Sequence, residues 1–170
     1  MKKMFLAGPF KALVDEKTHT MSTHHIEQFS VIIEFFEAKG WSVHCAHRRE
    51  KWGREFMTPA QCTSIDYQEI DKCDVFVAFP GVPASPGTHI ELGWASAMQK
   101  PTVLLLEEDQ QYAYLVQGLG EITKVSELYY GAEGVNLLLL AEWVEKLAAN
   151  PTRHNQHAHN KNAEYDVESA

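Results

Sequence analysis

The sequence predicts a doubly wound α/β fold, in which helices cover both faces of a five-stranded parallel sheet. Short apolar runs alternate along the chain with amphipathic stretches of helical period, which is typical of strand–helix–strand units. The clearest run, Asp74–Phe79, is almost wholly apolar, as expected of a central parallel strand covered on both sides. With right-handed crossovers, the simplest strand order is 2-1-3-4-5, as in Rossmann-like and flavodoxin-like sheets.

The other elements follow from similar local signals. The five predicted strands are Lys3–Ala7, Trp41–Ala46, Asp74–Phe79, Thr102–Leu106 and Ile122–Tyr130, of which the last is expected at an edge. The first helix begins at Ser22 or Thr23, carries apolar residues at helical spacing and ends at Gly40. The last helix is expected over residues 133–149.

One predicted helix has a particularly complete start signal. The stretch Thr58-Pro-Ala-Gln61 supplies a cap, a proline at the first helical position and the glutamine of a capping box, and the helix should reach about Asp71. Asp66 shares a stripe of this helix with Cys62 and Ile70, so its carboxylate should be partly buried and needs a partner. It either accepts a hydrogen bond from a loop amide or faces a ligand as an acid or base.

Composition excludes several classes of function. A length of 170 residues fits one domain over residues 1–149 and a polar tail over 150–170, which we expect to be disordered. The net charge of −8 opposes non-specific binding to nucleic acid. The apolar runs are too short for a membrane span, so we expect a cytoplasmic protein. Cys45, Cys62 and Cys73 are odd in number and lack CxxC spacing, so we expect neither a disulfide framework nor a zinc site. Chemistry carried out by carboxylates requires no metal or organic cofactor, so none is expected.

The candidate chemistry follows the central strand. Prolines and glycines prevent regular structure over residues 80–87, and a helix is expected to restart at Thr88. Ser85, Gly87 and Thr88 would then precede a helix N-terminus just beyond the carboxyl end of a strand. Because α/β sheets bind anionic ligands at such places, these three residues are candidates for holding an anion.

Glu91 lies three residues into this helix and has two interpretations. The spacing Thr88-x-x-Glu91 forms a capping box, in which the carboxylate only reaches back to the Thr88 amide. Alternatively, a carboxylate beside helix amide dipoles stays ionised and fixed in place, as a nucleophile must be. The apolar residues Ile90, Trp94 and Ala97 are expected to form the face that packs on the core. Spacing alone leaves both interpretations of Glu91 open.

Further candidates follow the first two strands, at the same edge if the sheet is parallel. The first strand closes at Gly8, and it is followed by Phe10, which could stack on a flat ligand, and Lys11, which could meet an anion. A loop that begins at His47 concentrates basic residues, including Arg48, after the second strand. This loop is either a solvated surface or a phosphate clamp, and His47 is either structural or a hydrogen-bond donor to a ligand.

Three motifs occur together in this chain: a strand ending in Gly8-Pro9, the unit Asp66-x-x-x-Ile70-x-x-x-Asp74, and the pattern Gly87-x-x-x-Glu91-x-Gly93. In combination they make the sequence similar to the nucleoside 2-deoxyribosyltransferase superfamily over most of residues 4–149. Within it, Ala46-His-Arg-Arg-Glu50 and the run 74–88 most resemble the CMP and 5-hydroxymethyl-CMP N-glycosidases of nucleoside-antibiotic pathways.

This resemblance implies a role for each candidate. Glu91 would attack the anomeric carbon of the sugar, and Asp66 would assist departure of the base. Ser85 stands where transferases of free nucleosides carry an aspartate, and with Gly87 and Thr88 it would bind a 5'-phosphate. The pocket around the base would be lined by Gly8, Phe10, Lys11, His47 and Arg48. Family members work as homodimers, and segment 108–119 is the candidate for completing the neighbouring subunit's site.

These implications favour hydrolysis of a pyrimidine nucleoside 5'-monophosphate, CMP or 5-hydroxymethyl-CMP, to free base and ribose 5-phosphate. The carboxylates suit a transition state that resembles an oxocarbenium ion. One alternative is transfer of the sugar to a second base, and another is hydrolysis of a deoxynucleotide such as 5-hydroxymethyl-dUMP. The alternative from a different class is a nucleotide-sensing module, in which Glu91 is only a helix cap.

Overall fold

The computed structural model describes residues 1–149, so the tail predicted over 150–170 lies outside the described residues. The strands within this part are β1 (Lys3–Ala7), β2 (Val14–Asp15), β3 (Thr20–Met21), β4 (Ser42–His44), β5 (Val75–Ala78), β6 (Thr102–Glu107) and β7 (Val125–Tyr130). Five of them form one sheet in the order β4-β1-β5-β6-β7, and every neighbouring pair is parallel. The predicted order, with the last strand at an edge, is confirmed.

Helices connect the strands on both faces of this sheet. They are α1 (Thr23–Ala38), α2 (Ala46–Arg49), α3 (Pro59–Lys72), α4 (Pro86–Ala97), α5 (Tyr114–Gln117) and α6 (Leu137–Ala149). Helices α1 and α6 cover one face, and α3, α4 and α5 cover the other. Within residues 1–149, none of the helices combines the length and apolarity needed to cross a bilayer.

Strand β5 shows why the sheet is covered on both sides. Its four residues are fully buried, and successive side chains of a strand point to opposite faces. Val75 and Val77 pack with α1 and α6, whereas Phe76 and Ala78 pack with α3 and α4. The apolar run therefore serves two cores, as the sequence predicted for a central strand.

The start of α3 confirms its predicted capping box. Thr58 Oγ1 accepts a hydrogen bond from the Gln61 amide at 3.4 Å, and Gln61 Oε1 accepts one from the Thr58 amide at 3.1 Å. Pro59 occupies the first helical position, where its missing N–H costs nothing. This start fixes the rotation of α3 so that Asp66 and Ile70 are buried.

The start of α4 corrects the predicted one. The helix begins at Pro86 and its N-cap is Ser85, whose Oγ accepts the Thr88 amide at 3.5 Å. Thr88 is therefore inside the first turn, since the pair Ser85-Pro86 already provides a cap and a first residue that needs no hydrogen bond. Glu91 lies six positions after this cap, too far for a capping box. The interpretation of Glu91 as a helix cap is wrong.

The inward face of α4 also differs from the predicted one. Leu92 and Ala95 are buried against the sheet, whereas Ile90 is 54% exposed and Ala97 is exposed. Trp94 does pack against the buried cluster beneath α4, as predicted, although it is only partly buried. Its ring also lies edge-on to Tyr67 of α3, with ring centroids 5.5 Å apart.

Smaller differences concern segments where several local signals compete. Strand β4 is shorter than predicted, and the basic loop after it is largely helical, because α2 begins at Ala46. Residues 12–21, which belong to none of the strands predicted from the sequence, contain the antiparallel hairpin of β2 and β3. Strand β7 begins three residues later than predicted, because residues 119–121 form a 3-10 turn. Helix α6 begins at Leu137, after Asn136 caps the Leu139 amide at 3.0 Å.

Candidate active site

The carboxyl ends of β1, β4 and β5 bring the predicted site residues to one edge of the sheet. Gly8 follows β1 in close contact with α1: a Cβ added to Gly8 would lie 2.6 Å from Phe29 Cζ. A larger residue would therefore push the Phe29 ring out of the core, where it packs between His47 and Phe79. This close approach places Phe10 at the rim.

The first turn of α4 contains Ser85, Gly87 and Thr88, the three residues that the sequence offers as candidates for holding an anion. Ser85 Oγ accepts hydrogen bonds from the Thr88 amide and from Thr88 Oγ1, the latter at 3.0 Å. Gly87 is exposed, and a Cβ added to it would meet no atom within 4 Å. Pro86 has no amide N–H, and the Thr88 and His89 amides donate to Ser85, so Gly87 carries the first-turn amide that is open to a ligand. This amide and the helix dipole both attract negative charge, so the open space at Gly87 suits a phosphate group.

Asp66 is buried and held by two basic side chains rather than by a loop amide. Its Oδ1 accepts a hydrogen bond from Arg49 Nη1 at 2.5 Å and lies 3.2 Å from His44 Nε2. Burial by itself raises the pKa of Asp66, but the hydrogen bonds with His44 and Arg49 outweigh it and hold the pKa below its ordinary value. Asp66 is therefore negatively charged at neutral pH.

Glu91 has the opposite environment, although it lies in the same site. Among residues 1–149, none donates a hydrogen bond to its partly buried carboxyl group. Burial raises the pKa of Glu91 to about 8, and the negative charge of Asp66 adds to the rise while Arg49 opposes it. The site thus holds one ionised carboxylate beside one carboxyl group that keeps its proton near neutral pH, the arrangement that separates acid and base roles.

Arg49 and Glu50 belong to this cluster, and neither was selected from the sequence. Arg49 Nη2 donates to Glu50 Oε1 at 2.7 Å, and Glu50 Oε2 accepts the Met57 amide at 3.3 Å. Glu50 is buried, and its bond to Met57 anchors the loop that carries Phe56. The sequence signal for this pair is the single acidic residue Glu50 within a strongly basic run, because an isolated opposite charge of this kind indicates an internal ion pair.

Arg48, which was selected, is held elsewhere. Its Nη2 donates to the Val43 carbonyl at 2.7 Å and lies 2.8 Å from Glu37 Oε1 on α1. The two adjacent arginines therefore diverge, because successive residues of a helix point about 100° apart. The structure does not bring Arg48 together with Asp66 and Glu91.

His47 lies beneath the rim. Its ring is 1% exposed, donates from Nε2 to the Pro9 carbonyl at 2.9 Å, and accepts at Nδ1 from Cys45 Sγ at 3.4 Å. Burial lowers the pKa of His47 to about 4, so the ring is neutral near pH 7. It packs against Phe29 and Phe10, with centroids 4.1 and 4.5 Å away. His47 thus supports Phe10 and Pro9 from below.

Phe10, Lys11 and Phe56 form one wall of the rim. The rings of Phe10 and Phe56 have centroids 5.4 Å apart, and Lys11 Nζ lies 5.6 Å from the Phe56 centroid. Phe10 is partly buried and Phe56 is 46% exposed, so aromatic surface and a positive charge face solvent together. Such a wall suits a flat, polar ring.

A cavity of about 1060 Å³ lies near this edge but excludes Asp66, Ser85 and Glu91 from its lining. Its lining includes the acidic residues Glu27, Glu107, Glu108, Asp109 and Glu133. A nucleotide phosphate would be repelled there, which favours the α4 N-terminus as the phosphate position. Among residues 1–149, no group of three or more His, Cys, Asp or Glu side chains is arranged to hold a metal ion.

Comparisons with known proteins give a consistent set of relatives. The family described as Nucleoside 2-deoxyribosyltransferase matches residues 4–129. The CMP N-glycosidase BcmB of Clostridium botulinum is 38% identical, with a TM-score of 0.58, over 86% of this chain and 98% of its own. The solution structure of BlsM is 43% identical, with a TM-score of 0.71, over 89% of this chain and 96% of its own.

A 2-deoxyribosyltransferase from Bacillus psychrosaccharolyticus is 18% identical, with a TM-score of 0.51, over 75% of this chain and 85% of its own, and it shares the fold. No curated protein sequence matches the chain at a significant level.

The environment of Glu91 predicts a pH-dependent gain in stability for Glu91→Gln. A carboxyl group whose pKa is higher in the folded than in the unfolded protein stabilises the fold at low pH and loses that contribution as pH rises. The free energy of unfolding of the variant relative to wild type should therefore increase between pH 4.5 and about 8 and stay constant above that. Urea midpoints at about pH 5 and about pH 9 measure this difference.

Glu142→Gln is the matched control, because Glu142 is exposed on α6. If Glu91→Gln and wild type keep a constant difference across the whole pH range, burial does not penalise the Glu91 charge.

Proposed function

Because the chain belongs to the nucleoside 2-deoxyribosyltransferase family, we propose that it hydrolyses the N-glycosidic bond of a pyrimidine nucleoside 5'-monophosphate. The products are the free base and ribose 5-phosphate, and the substrates that fit best are CMP and 5-hydroxymethyl-CMP. One observation carries the proposal: Ser85, an uncharged residue, caps α4, and the same helix carries Glu91, whose carboxyl group has no hydrogen-bond donor among residues 1–149. The similarity to a CMP N-glycosidase at 38% identity supports the same substrate class.

The phosphate binds at the start of α4 in this proposal. A dianion there receives hydrogen bonds from the Gly87 amide and from the hydroxyl group of Ser85, in the field of the helix dipole. An aspartate at position 85 would repel it. Because the phosphate is remote from the broken bond, its binding energy can orient the sugar for the transition state.

Glu91 is the nucleophile. Glu91 first loses its own proton to solvent. Its ionised carboxylate then forms an ester bond with C1' of the sugar while the N-glycosidic bond breaks and the bonding electrons leave with the base, which takes up a proton from solvent. The carboxylate also stabilises the positive charge that develops on the sugar. Water then attacks C1', the ester bond breaks, Glu91 is released as a carboxylate, and the sugar leaves as ribose 5-phosphate.

Asp66 enters the reaction as an anion. Its lowered pKa leaves no proton to donate at neutral pH, so we assign it to receiving a proton from the attacking water and to stabilising positive charge on the sugar. Phe10 stacks on the base at the partly exposed rim, and Lys11 meets the carbonyl side of the base. His47 holds Phe10 in place, and Arg48 has no contact with the substrate.

We also propose that two chains form a homodimer in which segment 108–119 of one chain completes the site of the other. This segment presents Tyr114 and Leu115, which are 88% and 85% exposed, so it offers apolar surface to a partner. Sedimentation at assay concentration should give the mass of a dimer, and a monomer that retains full activity would remove this part of the proposal.

The reaction products distinguish the proposed hydrolysis from the alternative functions. A transferase yields a new nucleotide when a second base is added, whereas a hydrolase releases the same free base with or without it. A deoxynucleotide hydrolase prefers the 2'-deoxy form of the substrate. A nucleotide-sensing module releases no base, and it loses its support here because Ser85, not the box Thr88-x-x-Glu91, caps α4.

The phosphate site predicts that CMP is hydrolysed far better than cytidine. Two hydrogen bonds to a charged group, each worth about 1.5 kcal/mol, correspond to a difference in kcat/KM of about 100-fold. Ser85→Asp and Gly87→Ala should both lower kcat/KM for CMP much more than for cytidine. Steady-state rates on both compounds measure these ratios.

Gly93→Ala is the matched control for Gly87→Ala, because both glycines lie in α4 and neither added Cβ meets an atom within 4 Å. Equal wild-type constants for CMP and cytidine would exclude phosphate recognition and favour a free-nucleoside enzyme.

The assignment of Glu91 as the nucleophile predicts that kcat/KM rises with pH and that Glu91→Ala has no turnover. Because only the ionised carboxylate attacks, kcat/KM should rise with pH and level off above the Glu91 pKa of about 8 in the free enzyme. The phosphate monoester of the substrate loses its second proton near pH 6 and would give an earlier rise. A kcat/KM that falls through pH 8 would instead make Glu91 a proton donor.

A further inference from the structure

Arg49 joins groups from three separate elements in one buried cluster. Its guanidinium contacts Asp66 Oδ1 on α3 at 2.5 Å, Glu50 Oε1 after α2 at 2.7 Å, and His44 Nε2 at the end of β4 at 3.0 Å. Through Glu50 it also fixes the Met57 amide and hence the loop that carries Phe56. One side chain thereby links a candidate catalytic carboxylate to the aromatic wall of the rim.

The cluster leaves one donor unused. Arg49 Nε is buried and has no hydrogen-bond partner within residues 1–149. A buried N–H group without an acceptor costs free energy, so its retention indicates a further function. The Glu91 carboxyl group lies in the same site, interacts electrostatically with Arg49, and receives no hydrogen bond from residues 1–149.

The other groups that face Glu91 do not supply positive charge. Asp66 on α3 is an anion. Cys45, at the end of β4, is neutral because burial raises its pKa to about 11. His44 contacts Asp66 and Arg49. His47 bonds to the Pro9 carbonyl and to Cys45, so the contacts of both rings are with groups other than Glu91. Within residues 1–149, Arg49 is the cation whose charge acts on Glu91.

We propose that Arg49 is the positioning residue of this site: it fixes Asp66 and the Phe56 loop, and it supplies the positive charge that balances Glu91 once Glu91 has lost its proton. The kinetic part of this inference rests on the proposed function. The part that concerns the charge of Glu91 is a property of the free protein. A guanidinium is suited to both tasks, because its planar fork donates to several acceptors at once.

A direct titration of Glu91 tests the charge balance without any substrate. Side-chain carboxyl signals are followed by 13C NMR, and Glu91→Gln identifies the signal by its loss. Because removal of Arg49 alone could also change the charge of Asp66, the comparison is made between Asp66→Asn and the double variant Asp66→Asn with Arg49→Met. Both proteins of this pair also carry Glu50→Gln, because Arg49 is the partner of the buried Glu50 as well, so removal of Arg49 leaves neither Asp66 nor Glu50 as an uncompensated buried charge.

Asp66→Asn should lower the midpoint of Glu91, because a neighbouring negative charge is lost. Addition of Arg49→Met should raise the midpoint again by about one unit or more, as expected for loss of a nearby opposite charge. If the single and double variants titrate at the same pH, Arg49 does not balance Glu91 and the inference is overturned.

Arg49→Lys tests the positioning part. A lysine keeps the charge but has one nitrogen in place of the planar fork that binds Asp66 through Nη1 and Glu50 through Nη2, so it does not hold the two carboxylates in the same geometry. The value of kcat/KM for CMP should therefore fall by about tenfold or more while the Glu91 midpoint stays within about half a unit of wild type. Wild-type kcat/KM in Arg49→Lys would overturn this part. Arg54→Met is the control, because Arg54 is exposed in the same basic loop, and it should leave both readouts unchanged.

The proposed function and the role of Arg49 are tested by independent measurements. If wild type releases no base from any nucleotide, the proposed function is wrong, whereas the titration still decides whether Arg49 balances the charge of Glu91.

Discussion

The buried carboxylate of Asp66 is the constraint on which the rest of the site depends. An ionised carboxylate inside a protein must be paired, and removal of one partner from a buried ion pair typically costs about 3–5 kcal/mol. Arg49 supplies the pair and at the same time binds the buried Glu50. Helices α2 and α3 and the loop before α3 are therefore held together by charge, whereas the sheet beneath them is held by apolar packing.

The same pairing explains why two carboxyl groups in one site differ in charge. Arg49 donates hydrogen bonds to Asp66 but not to Glu91, so burial dominates the proton affinity of Glu91. Their protons are coupled through Coulomb interaction, so a change at one group alters the other. A site of this kind sacrifices stability, because a desolvated carboxyl group with no donor is kept where a well-packed residue would stabilise the fold.

Prediction succeeded where a local interaction decides the structure. The capping box of α3 and the apolar run of β5 are each complete within a few consecutive residues, so competing arrangements are poorer. It failed at α4, where Ser85 and Thr88 both make acceptable caps three residues apart. The choice between them depends on the turn after β5 and on which stripe of the helix packs on the sheet. That packing buries Leu92 and Ala95 and leaves Ile90 exposed.

The sequence by itself determined the parallel sheet, its strand order and the group of segments at its carboxyl edge, because hydrophobic period and crossover handedness act along the chain. It also indicated that Asp66 is buried and that Ser85 lies at a helix N-terminus. Only the tertiary structure decided that Arg49 rather than Arg48 pairs with Asp66, that His47 is neutral beneath Phe10, and that Glu91 is free of the helix cap. These features depend on distances between residues far apart in the chain, which local patterns do not encode.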